Sequence, residues 1–375
     1  MVARLLEEEI KSKLFQKKAI VLIGSRQVGK TTLLHDMFAN NAAVLWLNGD
    51  ELDVQNLFLS ISADRLKAIF GTKKIVIIDE AQRIDAIGLR LKLITDTIPE
   101  VQLIATGSTA FELNNRLNEP ITGRKWEYNM YAISFQEMVN HHGLLTEKRL
   151  LPHRLVYGYY PDVINNAGNE KEILKQLADS YLYKDVLMLD QIKKPEKLVK
   201  LLQALSYQVG AQVSYNELAN LLDIDAKTVE KYIDLLEKCF VIFKLTTFSR
   251  NLRNELKSSR KIYFYDNGIR NSLISNFNQI ENRSDIDALW ENFLIAERIK
   301  YLRYNKVYAN YWFWRTKEQK EIDFIEEFND KITAYEFKWN PKISVKTPKL
   351  FLNTYSNASF KIIHKDNFES FLMPN

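Results

Sequence analysis

Ile20-Val-Leu-Ile-Gly-Ser-Arg-Gln-Val-Gly-Lys-Thr-Thr-Leu-Leu34 is the stretch on which the fold turns. Four apolar residues, Ile20 to Ile23, predict a strand buried on both faces. Gly24 to Thr31 then fits the pattern G-x-x-x-x-G-K-[ST]. Leu33, Leu34, Met37 and Phe38 recur as the apolar side of a helix requires. A strand, a glycine loop and a helix, in that order, are the context a phosphate-binding loop needs. Glycines let the backbone curl around a phosphate chain, with consecutive N–H groups facing its oxygens. The helix that begins there adds the positive end of its dipole. Gly24, Ser25, Arg26, Gln27, Val28, Gly29, Lys30, Thr31 and Thr32 are therefore the candidate ATP cradle. Lys30 is expected at the β and γ phosphates, and the Thr31 hydroxyl on Mg²⁺. The alternative is a glycine-containing turn before an ordinary helix.

The next signal downstream is Lys74-Ile-Val-Ile-Ile-Asp-Glu-Ala-Gln82, an apolar strand running into two acids. This is a Walker B pattern. Asp79, at the strand's C-terminal end, is expected to hold Mg²⁺ through water beside Thr31, and Glu80 to polarise the attacking water. Paired acids at a strand end also occur as helix caps. Val101 to Ala105 predicts a further strand, ending in Thr106-Gly-Ser108. Ser108 or Thr106 is the candidate sensor of the γ-phosphate, because ligands gather at the C-terminal edge of such sheets; a plain turn at Gly107 is the alternative. Arg124, after Ile121-Thr-Gly, is the candidate positive charge for a transferring phosphate, in its own subunit or a neighbour's. It reads equally well as a solvated surface arginine.

Around this core, Met1 to Phe15 predicts a short amphipathic helix, Ala43 to Leu47 a strand, Leu57 to Phe70 a helix ended by Gly71, and Lys125 to Tyr131 a strand. The strand at 43–47 lies between the phosphate-loop strand and the Walker B strand, and Glu80 directly follows Asp79. That arrangement resembles the additional-strand class of P-loop ATPases, which includes the AAA+ proteins. The resemblance implies hydrolysis rather than passive nucleotide binding, and a parallel sheet between helices.

A chain of 375 residues with 46% apolar content is too long for one ordinary core and has the balance of a globular protein. A single cysteine, Cys239, excludes an internal disulfide and a multi-cysteine zinc site, and the five histidines are not at ligand spacing. Nothing at the start resembles a signal peptide, and no apolar run reaches membrane-spanning length, so a cytoplasmic location is expected. The net charge of +5 permits an anionic partner without demanding one.

The expected division is a P-loop ATPase domain at 1–130, a helical lid or connector at 131–194, a winged helix at 195–280 and a final α/β domain at 281–375. In the connector, Ser134 and Glu137 form a capping-box pattern, and Lys171 to Asp190 reads as one long helix. In the third segment, Glu196 to Val209, Ser214 to Leu222 and Ala226 to Lys238 predict three helices, the last two joined by Asp223-Ile-Asp225 as in a helix-turn-helix. Two strands follow, Phe240 to Leu245 and Lys261 to Tyr265, completing a winged helix. The stretch around them is basic: Lys244, Arg250, Arg253, Lys257, Arg260 and Lys261. Arg250, Arg253, Lys257 and Arg260 are the candidate contacts to a DNA backbone. Protein contacts are the alternative use of so small a fold.

In the last segment, Glu291 sits on the predicted helix 287–298, Asp323 on the strand Glu321 to Ile325, and Glu336 with Lys338 on the strand from Lys331 to Trp339. Residues two apart on a strand face one side, so Glu336 and Lys338 point together, and Asp323 comes from the preceding strand of a hairpin. Ile322, Phe324, Tyr335 and Phe337 alternate with these polar residues, which predicts a one-sided polar face. Carboxylates so gathered bind Mg²⁺ or Mn²⁺, here through Asp323 and Glu336, and the metal activates water for phosphodiester cleavage; the lysine is expected to orient that water or stabilise charge on the phosphate. A salt-bridged, solvated strand is the alternative.

Taken together, Gly24 to Leu33, Ile77-Ile-Asp-Glu-Ala-Gln82, Thr106-Gly-Ser108, Ile121-Thr-Gly-Arg124, Tyr131 to Glu137, Lys261 to Ile269, Trp314 to Lys317, Glu321 to Phe324 and Tyr335 to Lys338 resemble blocks of a widespread prokaryotic family of AAA+-like ATP-binding proteins. The resemblance covers nearly the whole chain. Ser25 stands where that family usually has proline. The family's C-terminal region resembles the PD-(D/E)xK nuclease superfamily, which implies catalytic roles for Glu291, Asp323, Glu336 and Lys338. The implied activity is an ATPase associated with DNA, with possible partners DNA or a protein and a possible oligomer. The alternative is a nucleotide-dependent switch or scaffold whose nuclease-like domain is inactive.

Overall fold

The computed structural model describes residues 2–59, 62–108, 121–181, 192, 194–249 and 259–374. The chain divides into two compact units, the first built mostly from residues 1–132 and the second drawn from 133–375.

The first unit is a five-stranded parallel sheet with helices around it. Its strands are β1 (Ala19–Ile23), β2 (Val44–Asn48), β3 (Ile75–Asp79), β4 (Gln102–Gly107) and β5 (Lys125–Asn129), in the order β2-β3-β4-β1-β5. Every pairing among them is parallel. Parallel strands need crossover helices, which cover both faces and make the central strands continuously apolar. β1 is buried along its whole length, whereas β2 is only partly buried, as befits an edge. Strand 43–47 comes between the phosphate-loop strand and the Walker B strand in the chain, as read, but not in the sheet. β4 lies between β1 and β3, and β2 lies outside β3. Chain order does not decide sheet order, because each crossover is free to skip a position.

The expected helix at 57–70 is two helices, Leu52–Leu59 and Ala63–Phe70. Ser62 breaks the run by capping the second, accepting the Arg65 amide at 3.3 Å. The core gathers Val21, Ile23, Phe58, Leu66, Val76, Ile78, Leu91 and Leu103.

In the second unit, helices Phe135–His142, Leu144–Tyr157 and Glu170–Tyr181 come first. Both halves of the capping box expected at Ser134 and Glu137 are formed. The second half of the helix expected at 171–190 lies outside the described residues. Helix Pro195–Tyr207 follows, then β6 (Gln212–Val213), helices Tyr215–Leu222 and Ala226–Lys238, β7 (Ile242–Thr246) and β8 (Arg260–Phe264). The three strands form an antiparallel sheet in the order β6-β8-β7.

The long helix Ile286–Tyr304 leads into β9 (Asn310–Arg315), β10 (Glu321–Phe328) and β11 (Lys331–Phe337). After helix Lys349–Thr354, β12 (Ala358–Ile363) pairs parallel to β11, giving the order β12-β11-β10-β9. Ile322, Ile325, Ile332, Trp314 and Phe351 pack on one side of this sheet. Among the described residues, no helix is long and apolar enough to cross a membrane.

Candidate functional site

The phosphate loop sits where β1 ends and the helix Lys30–Met37 begins. Gly24 is required there: a Cβ would stand 2.1 Å from the Met130 carbonyl oxygen. Gly29, at the helix N-terminus, has φ +97°, a left-handed conformation that favours glycine. Arg4 braces the loop from the outside, donating from Nη1 to Val28 O at 2.7 Å and from Nη2 to Tyr131 O at 2.6 Å. Lys30 is buried, and its ammonium donates to Gly24 O at 2.7 Å and Ser25 O at 2.9 Å. Ser25 and Val28 are buried, Arg26 is half-buried, and Gln27 and Thr32 are exposed.

Parallel pairing sets β3 and β4 beside this loop and brings their C-terminal ends to it. The Thr31 hydroxyl donates to Asp79 Oδ2 at 2.8 Å. The Thr106 hydroxyl donates to Asp79 Oδ1 and accepts the Glu80 amide at 3.2 Å. Thr106 is thus the strand-tip residue that touches the Walker B acid. Ser108 reaches the next acid through an intermediary: Gln82 Nε2 donates to both Glu80 Oε2, at 2.5 Å, and Ser108 Oγ, at 3.2 Å. Glu80 itself is left-handed, at φ 47° and ψ 40°, unusual for a residue with a side chain.

Gln82 and Arg4 went unassigned in the sequence. Gln82 stands two residues after Glu80, a spacing that a turn brings together. Arg4 carries no local signal. Arg124 does not join this group within its own chain. The register Ala19↔Lys125 puts it at the N-terminal end of the sheet, about 16 Å of strand away from the loop, and it pairs with Asp96.

The residues present fit a magnesium nucleotide. Among the described residues, Asp79 accepts hydrogen bonds from two hydroxyls and the Glu80 amide, all neutral donors. Its carboxylate is therefore positioned by neutral donors in these bonds.

The second group of acids lies in the C-terminal sheet. Here β10 is irregular: Ile322 pairs with Trp314 and Ile325 with Trp312, so one extra residue is inserted between them. Such a bulge re-aims side chains. The expected alternation of Ile322 and Phe324 on one apolar face is corrected accordingly. Ile322 and Ile325 share a cluster, while Phe324 meets Tyr335, Phe337 and Phe371. Asp323, inside the bulge, is buried and accepts the Phe337 amide on Oδ2 at 2.8 Å. Lys338 donates to Glu336 Oε1 at 2.8 Å. Burial, then the charges of Glu291 and Glu336, push the Asp323 carboxyl well above the ordinary aspartate range, with Lys261 opposing. Lys338 is raised: burial works against its charge, but the bond to Glu336 and the charges of Asp323 and Glu291 outweigh it. Glu291, Asp323, Glu336 and Lys338 therefore share one electrostatic site.

Lys261, assigned from sequence to a basic wing, belongs to this site instead. It is 1% exposed, and its Nζ lies 3.1 Å from Glu291 Oε1 and 2.6 Å from Glu321 Oε1. Tyr263, two residues on along β8, donates to the same Glu291 oxygen at 2.5 Å. Burial opposes the Lys261 charge, yet Glu291, Asp323 and Glu321 raise its pKa. Glu321 also pairs with Arg315 at 3.2 Å. The signal for Lys261 and Tyr263 was their alternation on one strand; their partner could not be read from it. Beside these groups a cavity of about 240 Å³ is lined by Glu321, Glu336, Lys338, Ser344 and Lys346, among others. Among the described residues, no group of three acids, histidines or cysteines stands together at either site. What sets this one apart is that its acids are already paired with the ammonium groups of Lys261 and Lys338.

Of the remaining basic residues, Lys244 is held by Asp234 at 2.7 Å and Glu237 at 2.8 Å, so it does not face outward as a phosphate contact. Arg260 lies over the Tyr215 ring at 4.9 Å. Arg250, Arg253 and Lys257 lie outside the described residues.

Residues 16–139 match a family model described as an AAA domain. Residues 148–280 and 287–369 match two models described as domains of unknown function, DUF8612 and DUF4143. An uncharacterized protein of Mycobacterium tuberculosis is 24% identical, over 87% of this chain and 71% of its own. An uncharacterized protein of Methanocaldococcus jannaschii is 23% identical, over 98% of this chain and 89% of its own. Among solved structures, the Walker-type ATPase of Pyrococcus abyssi superposes with a TM-score of 0.51 at 16% identity, covering 73% of this chain and 96% of that one. The chain thus carries a P-loop domain with the fold of Walker-type ATPases.

Proposed function

We propose that this chain binds ATP with Mg²⁺ at the phosphate loop and hydrolyses it, using the turnover to set the state of its second unit. One observation carries the reading: Thr31 and Asp79 are joined at 2.8 Å, with the Glu80 amide tied to Thr106 next to them. Lys30 and the loop amides bind the phosphates, and Thr31 with Asp79 holds the metal. Bound Mg²⁺ neutralises charge on the phosphate oxygens. Glu80 orients and deprotonates the attacking water, and Gln82 holds its carboxylate in place. Ser108 and Thr106 stand where a γ-phosphate is sensed. Arg124 is left as a finger for a neighbouring copy only.

Beyond the P-loop domain at 1–130, the proposed division is a connector at 131–194, a winged helix at 195–280 and a PD-(D/E)xK-like domain at 281–375. The helix, strand, two helices and two strands from 195 to 264 support the winged helix. A helix, three antiparallel strands, a helix and a parallel strand support the nuclease-like fold. DNA is the partner proposed for the wing, through Arg250, Arg253, Lys257 and Arg260. Salt-sensitive DNA binding that weakens on charge reversal at these positions supports it, and binding indifferent to them removes it. ATP turnover with Mg²⁺, lost in Glu80→Gln while ATP stays bound, tests the first unit; unchanged turnover rules out the role of Glu80.

A second reading is favoured by Lys261. In it the nuclease-like domain does not cleave, and the chain is a nucleotide-dependent switch. DNA nicking by the wild type with Mg²⁺ or Mn²⁺, lost in Asp323→Ala, defeats this reading; no nicking of any DNA form supports it.

A further inference from the structure

The acids of the C-terminal site are already provided with a cation. Lys261 Nζ bridges Glu291 Oε1 and Glu321 Oε1, and Glu291 Oε1 also accepts the Tyr263 hydroxyl. Asp323 Oδ2 takes the Phe337 amide. Glu336 is engaged by Lys338. With Arg315 on Glu321, every acid has at least one donor, and three of the six acid–donor pairs come from an ammonium.

Lys261 is not placed there by a mobile segment. It lies on the central strand β8, paired with Gln212 of β6 on one side and Leu245 of β7 on the other. Its stem passes against Phe313, with the ammonium 5.4 Å from the ring centre. A divalent ion shared by Glu291 and Asp323 would stand beside this fixed positive charge and be repelled by it.

We infer that Lys261 is a resident cation that takes the place of a divalent metal in this carboxylate site. The site is then metal-independent and joins β8 to the C-terminal sheet electrostatically. This rests on the second reading above, and its failure is distinguishable from the failure of that reading.

The test is Mn²⁺ binding to the full chain without nucleotide, followed by electron paramagnetic resonance. In the wild type, Asp323→Asn should leave the bound Mn²⁺ unchanged. Lys261→Met should gain one further ion per chain, at least tenfold tighter than any residual binding there, and Lys261→Met with Asp323→Asn should lose it again. Wild-type Mn²⁺ binding that disappears in Asp323→Asn overturns the inference. So does a folded Lys261→Met chain with no added ion. Should that variant not fold, Lys261→Met with Glu321→Gln, which removes the ammonium and one of its acids together, takes its place. If that too fails, the wild type against Asp323→Asn decides alone. DNA nicking by the wild type would defeat the reading itself. No nicking with no gained ion would defeat only the role of Lys261.

Discussion

Two groups of acids sit in two units of this chain, and they are held in opposite ways. Asp79 is held by the hydroxyls of Thr31 and Thr106, and Glu80 by the amide of Gln82. Glu291, Glu321 and Glu336 are held by the ammonium groups of Lys261 and Lys338. A neutral donor fixes a carboxylate in position and leaves its charge to act on something else. An ammonium fixes it and cancels the charge. The first arrangement suits the cation and anion proposed to bind there; the second is complete within the fold.

The contrast can be broken at either end. The largest effect is expected at Glu80: Glu80→Gln should lower the ATP turnover rate by about 10²–10⁴-fold while leaving nucleotide affinity nearly unchanged, as steady-state kinetics and equilibrium binding would measure. A loss confined to affinity would mean that Glu80 binds rather than activates. Next is Lys261→Met. With the ammonium gone, two partly buried carboxylates face each other, and unfolding by urea should show a loss of about 3–5 kcal/mol. A change below about 1 kcal/mol would place Lys261 among solvated pairs.

Asp285 sharpens the same point elsewhere in the second unit. It accepts from Arg283 at 2.9 Å and from Arg270 at 2.5 Å, both buried arginines. Burial works against its charge, but the two arginines outweigh it and hold its pKa below the ordinary aspartate value. A depressed carboxylate contributes stability above its unfolded pKa and loses it as pH falls through the folded one. Asp285→Asn should therefore cost about 3 kcal/mol at pH 7. The gap to wild type should begin to narrow as pH falls below about 4, where the unfolded aspartate is protonated, and close only once pH has passed the lower folded pKa. A gap that persists in acid would show that shape, not charge, is what Asp285 supplies. The smallest of the four effects is Thr106→Val, which removes one hydroxyl from Asp79. Its turnover should fall by the equivalent of about 1.5–3 kcal/mol, the worth of a hydrogen bond to a charged group. An unaffected rate would leave Ser108, through Gln82, as the sensing residue.

Much of the first unit was legible because its chemistry is local. Ile20 to Thr31 is one continuous strand, loop and helix, and Asp79 ends a strand whose apolar run is visible by eye. What was not legible there concerns partners across the sheet. Thr106 touches Asp79 only because β4 lies beside β3, and Arg124 misses the loop only because β5 starts at the opposite edge. In the second unit the spacing of Glu336 and Lys338 survives intact, since two residues on one strand share a face. The alternation around Asp323 does not, because a bulge adds a residue to β10 and no residue type in Ile322 to Ile325 announces it.

The sequence by itself determined the phosphate loop, the acids proposed to serve it, the apolar strands and the hairpin that presents Asp323 and Glu336. These depend on neighbours within a few residues, where backbone geometry allows few outcomes. Only the tertiary structure decided that β4 separates β1 from β3, that Glu80 is gripped by Gln82, and that Lys261 turns inward to meet Glu291 and Glu321. A lysine on an amphipathic strand carries the same local pattern whether it faces water or a buried acid. What tells them apart is the packing of β8 against a helix and sheet that come later in the chain.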